Sequence, residues 1–147
     1  MSIPPFANSG NLPEGVHEAT WDEIVDRFGT NDRRRELLDG LHRALDSLRS
    51  AGCRRAYIGG SFVTAQEEPG DFDACWEIAG VDPDRLDSAL LTFTDRRAAQ
   101  KARFGGELFP AEAGADPHGT RFLDYFQQDK VTGERKGIVA LDLEDLP

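Results

Sequence analysis

The segment DFDACWEI, Asp71 to Ile78, alternates without interruption. Phe72, Ala74, Trp76 and Ile78 fall on one side, and Asp71, Asp73, Cys75 and Glu77 on the other. Successive side chains of a strand point to opposite faces, so this pattern predicts a strand whose aromatic side is buried. Such a strand needs an apolar layer over it, and the chain supplies helices for that purpose.

Thr20 and Glu23 in TWDE form a capping box ahead of Trp21, Ile24, Val25 and Phe28, which recur at helical spacing until Gly29. Asp32 is placed to cap a second helix running to about Ala51, with Leu37, Leu38, Leu41, Leu45 and Leu48 as its stripe and Gly52 just past its end. Gly40 inside this helix costs propensity, which predicts a close neighbour there. RRAYI predicts a strand ended by Gly59-Gly60. Asp82-Pro83 opens a helix through VDPDRLDSALL, TDRRAAQKARF predicts another, GELFPA a short strand stopped by Pro110, and GTRFLDYFQQ a helix with Phe122, Leu123 and Phe126 inward. IVALDL reads as a last strand after the polar turn KVTGERKG. The order predicts an α+β (α/β) fold, a mixed sheet with two N-terminal helices and further helices packed on it.

With 147 residues the chain has room for one domain with a real core. Residues 1–19, rich in Pro, Gly, Ser and Asn, read as an N-terminal arm, and 20–147 as the single domain. A net charge of −10 argues against nucleic acid as the main partner, because phosphate contact demands a basic face; it suits metal binding or a basic protein partner. No stretch is apolar enough to span a membrane, and the first residues do not read as a signal peptide. Two cysteines, Cys53 and Cys75, fit a reduced cytoplasmic protein.

The chemistry is concentrated between Tyr57 and Ile78. Asp71 and Asp73, two apart on a strand, point the same way with Cα atoms about 6–7 Å apart, so both can reach one or two divalent ions. Alone they repel; Mg²⁺ relieves this with hard oxygen ligands. Nine residues earlier, Gly59-Gly60-Ser61 permits close backbone approach to phosphate oxygens, with amides and a hydroxyl as donors. These parts suit a metal-bound triphosphate.

Ile58-Gly59-Gly60-Ser61 followed by Asp71-Phe72-Asp73 resembles the signature of the polymerase-β-like nucleotidyltransferase superfamily, whose minimal members include antitoxins that modify a partner toxin. The resemblance covers about the middle third of the chain. It implies a Mg²⁺-dependent transfer of a nucleoside monophosphate from ATP or another NTP to a hydroxyl of a protein or small molecule. Asp71 and Asp73 would be metal ligands, Gly59, Gly60 and Ser61 would cradle phosphate, and a third carboxylate would come from a following strand. Glu107 in GGELFPA is the favoured third acid, with Asp142 and Asp124 as competitors. Lys101 is a candidate for the triphosphate oxygens, alongside Arg103. Phe62-Val63-Thr64 stands where the minimal family has a small residue, Arg and Gly, and Glu67 and Glu68 add negative charge to the loop. The alternative these departures imply is a non-catalytic interaction protein that keeps the fold and binds a basic partner, as an antitoxin-like or phage-associated module. The blocks LPEG, GGSFVT, PGDFD, GGELFP and KGIVALDL make the whole chain similar to an uncharacterised bacterial family.

The remaining features have structural readings. NDRRRELL reads as the solvated side of a helix, with Arg34 or Arg35 paired to nearby acids. His17, His42 and His118 lack metal-ligand spacing. Cys53 and Cys75 read as small buried apolar groups, and Trp21, Trp76 and the phenylalanines as core.

Overall fold

The computed structural model describes residues 3–147; Met1 and Ser2, the first two positions of the expected arm, lie outside the described residues. The capping box forms with both of its bonds: Glu23 N–H donates to Thr20 Oγ1, and Thr20 N–H donates to Glu23 Oε1. It starts α1, Trp21–Phe28, which Gly29 closes. Helix α2, Asp32–Ser50, follows. Its cap is Asn31 rather than Asp32: the Asn31 side chain accepts the Arg34 N–H at 2.9 Å, one residue earlier than the spacing predicts.

Five strands form one mixed sheet in the order β1-β5-β2-β3-β4. They are β1 Gly15–Glu18, β2 Arg55–Gly59, β3 Phe72–Trp76, β4 Gly106–Pro110 and β5 Gly137–Asp142. The pairs β1–β5 and β3–β4 are parallel, and β5–β2 and β2–β3 are antiparallel. The last strand of the chain therefore lies inside the sheet. The end of the arm is β1, an edge strand that sequence periodicity does not reveal, and Ile3 and Leu12 of the arm are buried in the core.

The alternation in β3 sorts its side chains as expected. Phe72, Ala74 and Trp76 join Ile58, Leu108, Val139 and Leu141 under the α2 stripe of Leu37, Leu41, Leu45 and Leu48. Each fully buried leucine contributes about 2 kcal/mol of transfer free energy. The pattern stops early, because β3 ends at Trp76 and Ile78 is exposed. On the opposite face, Tyr57, Cys75, Phe109, Phe126, Ile138 and Ala140 make a second, smaller cluster.

Gly40 has the close neighbour its position implies: a Cβ there would stand 1.7 Å from the Phe104 carbonyl oxygen. That contact presses α2 against the end of α3, Thr94–Phe104. Helix α3 departs from expectation at its start. Asp95, Arg96 and Arg97 have φ of 51°, 55° and 61°, a left-handed turn that L-residues adopt at a cost. The segment after Asp82 forms two 3₁₀ turns, Pro83–Arg85 and Ser88–Leu91, instead of one helix. The segment after Gly119 gives a single turn, α4 Phe122–Tyr125, with Phe126 buried and Phe122 and Leu123 partly buried against the second cluster. No helix among the described residues is long and apolar enough to cross a membrane.

Candidate metal and phosphate site

The sheet order assembles the site. Asp73 on β3 is in register with Gly59 at the end of β2 on one side and with Glu107 on β4 on the other. Asp71 immediately precedes β3 and faces the same way. As a result, carboxylate oxygens of Asp71, Asp73 and Glu107 all lie within 4.8 Å of one another. Oxygens on one octahedral Mg²⁺ at about 2.1 Å are about 3.0 Å apart when adjacent and about 4.2 Å when opposite, so side-chain movements of about an ångström would let the trio share an ion.

The other two acids considered for the third position are elsewhere. Asp124 pairs with Arg121 at 2.9 Å, and Asp142 accepts the Glu144 N–H at 3.0 Å as a turn cap.

Electrostatics follow from the crowding. Burial, then the nearby Asp71 and Glu107 charges, pushes the Asp73 carboxyl up to about 7. Asp71 is raised by burial and by Glu107. Glu107 has cationic partners that sequence reasoning did not pair with it: Arg97, from the left-handed turn of α3, holds Oε2, and Lys101 Nζ lies 3.1 Å from Oε1. Lys101 is thus engaged with the third carboxylate. The guanidinium of Arg97 also covers the Phe109 ring, 5.0 Å from its centroid.

The Gly-Gly-Ser turn divides its roles. Gly59 lies beneath Phe126, where a Cβ would be 3.0 Å from Phe126 Cβ. Gly60 has φ +71° and lies against the Asp73 carboxylate. Ser61, in the 3₁₀ turn Gly60–Val63, lines a cavity of about 440 Å³ together with Gly60, Asp73, Asn11, Lys130 and Lys136. A second cavity of about 410 Å³ holds Asp71, Asp73 and Glu107 beside Phe109, Phe122 and Tyr125. Asp73, Tyr125, Phe126 and Lys130 belong to both, so Asp73 stands between the two hollows.

Glu67 and Glu68 are exposed and line neither hollow. The loop that carries them is fixed by Arg34. This residue is not on a solvated face: it is 3% exposed, and its guanidinium donates to the carbonyls of Phe62 and Thr64, both at 2.7 Å, and Gln66 at 2.6 Å. The hydrophilic run NDRRRELL conceals this role. Arg35 pairs with Asp32 at 3.1 Å on the surface, as expected. Neighbouring Arg33 donates to the Pro69 carbonyl at 3.2 Å, so α2 holds both ends of the loop between the glycine turn and Asp71.

The histidines and cysteines are outside the cluster. His17 Nε2 is 2.7 Å from the Pro13 carbonyl oxygen, and His42 Nε2 is 3.1 Å from that of Pro147. Cys53 and Cys75 are free and buried. Burial pushes the Cys75 thiol up to about 12, which suits a packing role rather than a nucleophile.

The fold and this cluster define a small α+β protein with three acids gathered at one end of a mixed sheet, beside a glycine turn. Its family is known by sequence: the model of DUF6932, a family of unknown function, matches residues 4–142, and the chain belongs to that family. No curated protein and no solved structure matches the chain.

Proposed function

We propose that this protein is a Mg²⁺-dependent nucleotidyltransferase that moves a nucleoside monophosphate from ATP or another NTP to a hydroxyl of a protein or small molecule. The observation that carries this reading is the convergence of Asp71, Asp73 and Glu107 within 4.8 Å beside the Gly60 turn. Asp71 and Asp73 would hold the metal with Glu107 completing the set. The donor set fits: all ligands are hard oxygens, and the Asp73 carboxyl, raised first by burial and then by the Asp71 and Glu107 charges, would be held ionised by a divalent cation. Bound there, Mg²⁺ would offset charge developing on a phosphoryl group. The chain's own contribution is positional. Gly60 lets the backbone approach closely, Ser61 offers a hydroxyl, and Arg97 and Lys101 orient Glu107.

Isothermal titration of ATP with Mg²⁺ into the wild type and into Asp71→Ala/Asp73→Ala tests this. Binding heat in the wild type that disappears in the variant supports it. Equal heats, or none in either, end it.

One observation favours a second reading, an interaction protein without chemistry. Arg97 and Lys101 pair with Glu107 and offset its charge, and the acidic surface that includes Glu67 and Glu68 suits a basic partner. A partner protein that stays bound when Asp71 and Asp73 are replaced would support this reading; a protein that remains alone at every salt concentration would refute it.

A further inference from the structure

Two of the chain's three lysines, Lys130 and Lys136, line the cavity beside the Gly60–Ser61 turn. Among the described residues no acid lies within 4.0 Å of either ammonium. Lys136 is half-buried at the entry to β5, with its backbone N–H fixed to the Gln127 carbonyl at 2.9 Å. Burial outweighs the acids near it and lowers its proton affinity. The ammonium of Lys130 stands 5.4 Å from the centre of the Tyr125 ring.

The groups around Lys136 are Lys130, Asp73 and Asp129. Asp73 belongs to the metal cluster. Asp129 also lines the cavity, but its carboxylate is already occupied. Oδ1 accepts the Val131 and Thr132 amides at 2.8 and 3.1 Å, and Oδ2 accepts Asn11 Nδ2 at 3.1 Å. Those bonds draw on its charge within the turn, and the two lysines that line the hollow have no carboxylate within 4.0 Å among the described residues.

We infer that this cavity is a polyphosphate site in which Lys130 and Lys136 bind the anionic chain opposite Ser61, at the Asp73 edge of the carboxylate cluster. This deepens the nucleotidyltransferase reading and, as a source of the triphosphate's binding charge, replaces Lys101 with these two lysines. Ammonium groups bind phosphate oxygens as point charges through charge-assisted hydrogen bonds. The volume of about 440 Å³ is within the range of small-ligand pockets. A nucleoside triphosphate and free inorganic polyphosphate share this chemistry.

The test is calorimetric titration of the full chain in EDTA with inorganic tripolyphosphate and, separately, with ATP. Binding of tripolyphosphate without metal is expected, weakened at least about tenfold, or about 1.4 kcal/mol, in Lys130→Gln/Lys136→Gln. Arg85→Gln, at a residue that lines neither cavity, should bind as the wild type does. Thermal melting of the double variant verifies that it is folded. Asp71→Asn/Asp73→Asn should retain or strengthen metal-free binding, because repulsion is removed. If tripolyphosphate binds through the lysines and ATP binds neither in EDTA nor when Mg²⁺ is added, the site stands and the nucleotidyltransferase reading falls. If neither anion binds the wild type, or the folded double variant binds tripolyphosphate as well as the wild type, this inference is overturned whatever the metal cluster does.

Discussion

A Cβ added to Gly60 would stand 2.3 Å from Oδ2 of Asp73, closer than any real contact of that kind. The turn and the acid are therefore a matched pair, brought together because Gly59 and Asp73 are in register across β2 and β3. Gly60→Ala forces a side chain into the carboxylate at a φ of +71° that alanine disfavours. The obstacle is a side chain that can rotate, so the fold should survive with a loss of about 1–2 kcal/mol from the left-handed backbone. Mg²⁺-dependent ATP binding should disappear. Melting curves combined with titration separate the two effects, and unchanged ATP binding in the variant would contradict the pairing.

The Asp73 carboxyl gives the metal-free protein a pH signature. Its folded value is about 7, against about 3.9 in an unfolded chain. Below pH 4 both states hold the proton. Between about 4 and 7 the folded state alone keeps it, so stability falls steadily across that window, and the loss is complete above 7. The raised Asp71 carboxyl acts in the same direction. In EDTA, urea midpoints should decline from pH 5 to pH 8, and Asp73→Asn should flatten the decline. Mg²⁺ at about a hundredfold excess over its dissociation constant should restore about 2.7 kcal/mol at pH 8 in the wild type and not in Asp71→Asn/Asp73→Asn. A midpoint that rises from pH 5 to pH 8 in EDTA would refute this account.

Arg34 holds the loop between the glycine turn and Asp71 by donating to its carbonyl oxygens. Arg34→Met preserves much of the apolar stem and leaves those acceptors unpaired, a loss of about 2–4 kcal/mol. Arg34→Lys, a single point donor, should recover only part of it. Urea denaturation measures the loss. Hydrogen exchange at the amides of residues 61–66 should accelerate more than in the strands; uniform protection would exclude a local role for Arg34.

Gly40→Ala tests the contact between α2 and α3. Alanine improves helix propensity by about 1 kcal/mol, but its methyl would meet the Phe104 backbone at 1.7 Å, and backbone cannot step aside cheaply. A net loss of at least about 2 kcal/mol is expected. Gly70→Ala, where a Cβ meets nothing within 4 Å, should change stability by less than about 0.5 kcal/mol. Equal melting temperatures for the two variants would disprove the contact.

Much of the architecture was legible because it is local. The capping box, the leucine stripe of α2, the alternation of β3 and the glycine at position 40 each leave a signal within a few residues. The acid trio was legible in outline: spacing joined Asp71 to Asp73 and Glu107 was the favoured third acid, whereas the pairing of β4 with β3 that brings Glu107 beside them left no mark in the sequence. The rest depends on distant partners. Strand β1 is four residues at a sheet edge, too short for periodicity to show. Arg34 lies in a charged run and is buried only because the loop folds back over it. The left-handed start of α3 leaves no mark in TDRRAAQKARF, and KVTGERKG reads as a polar turn until its two lysines are found facing the same cavity.

The placement of β5 between β1 and β2 constrains how this protein is made. While the ribosome is still adding residues before Gly137, the nascent chain has β1 with no strand to join and β2 with one side bare. A product truncated there would present open edges prone to pairing with other molecules, and the sheet can close only once its final strand has been synthesised.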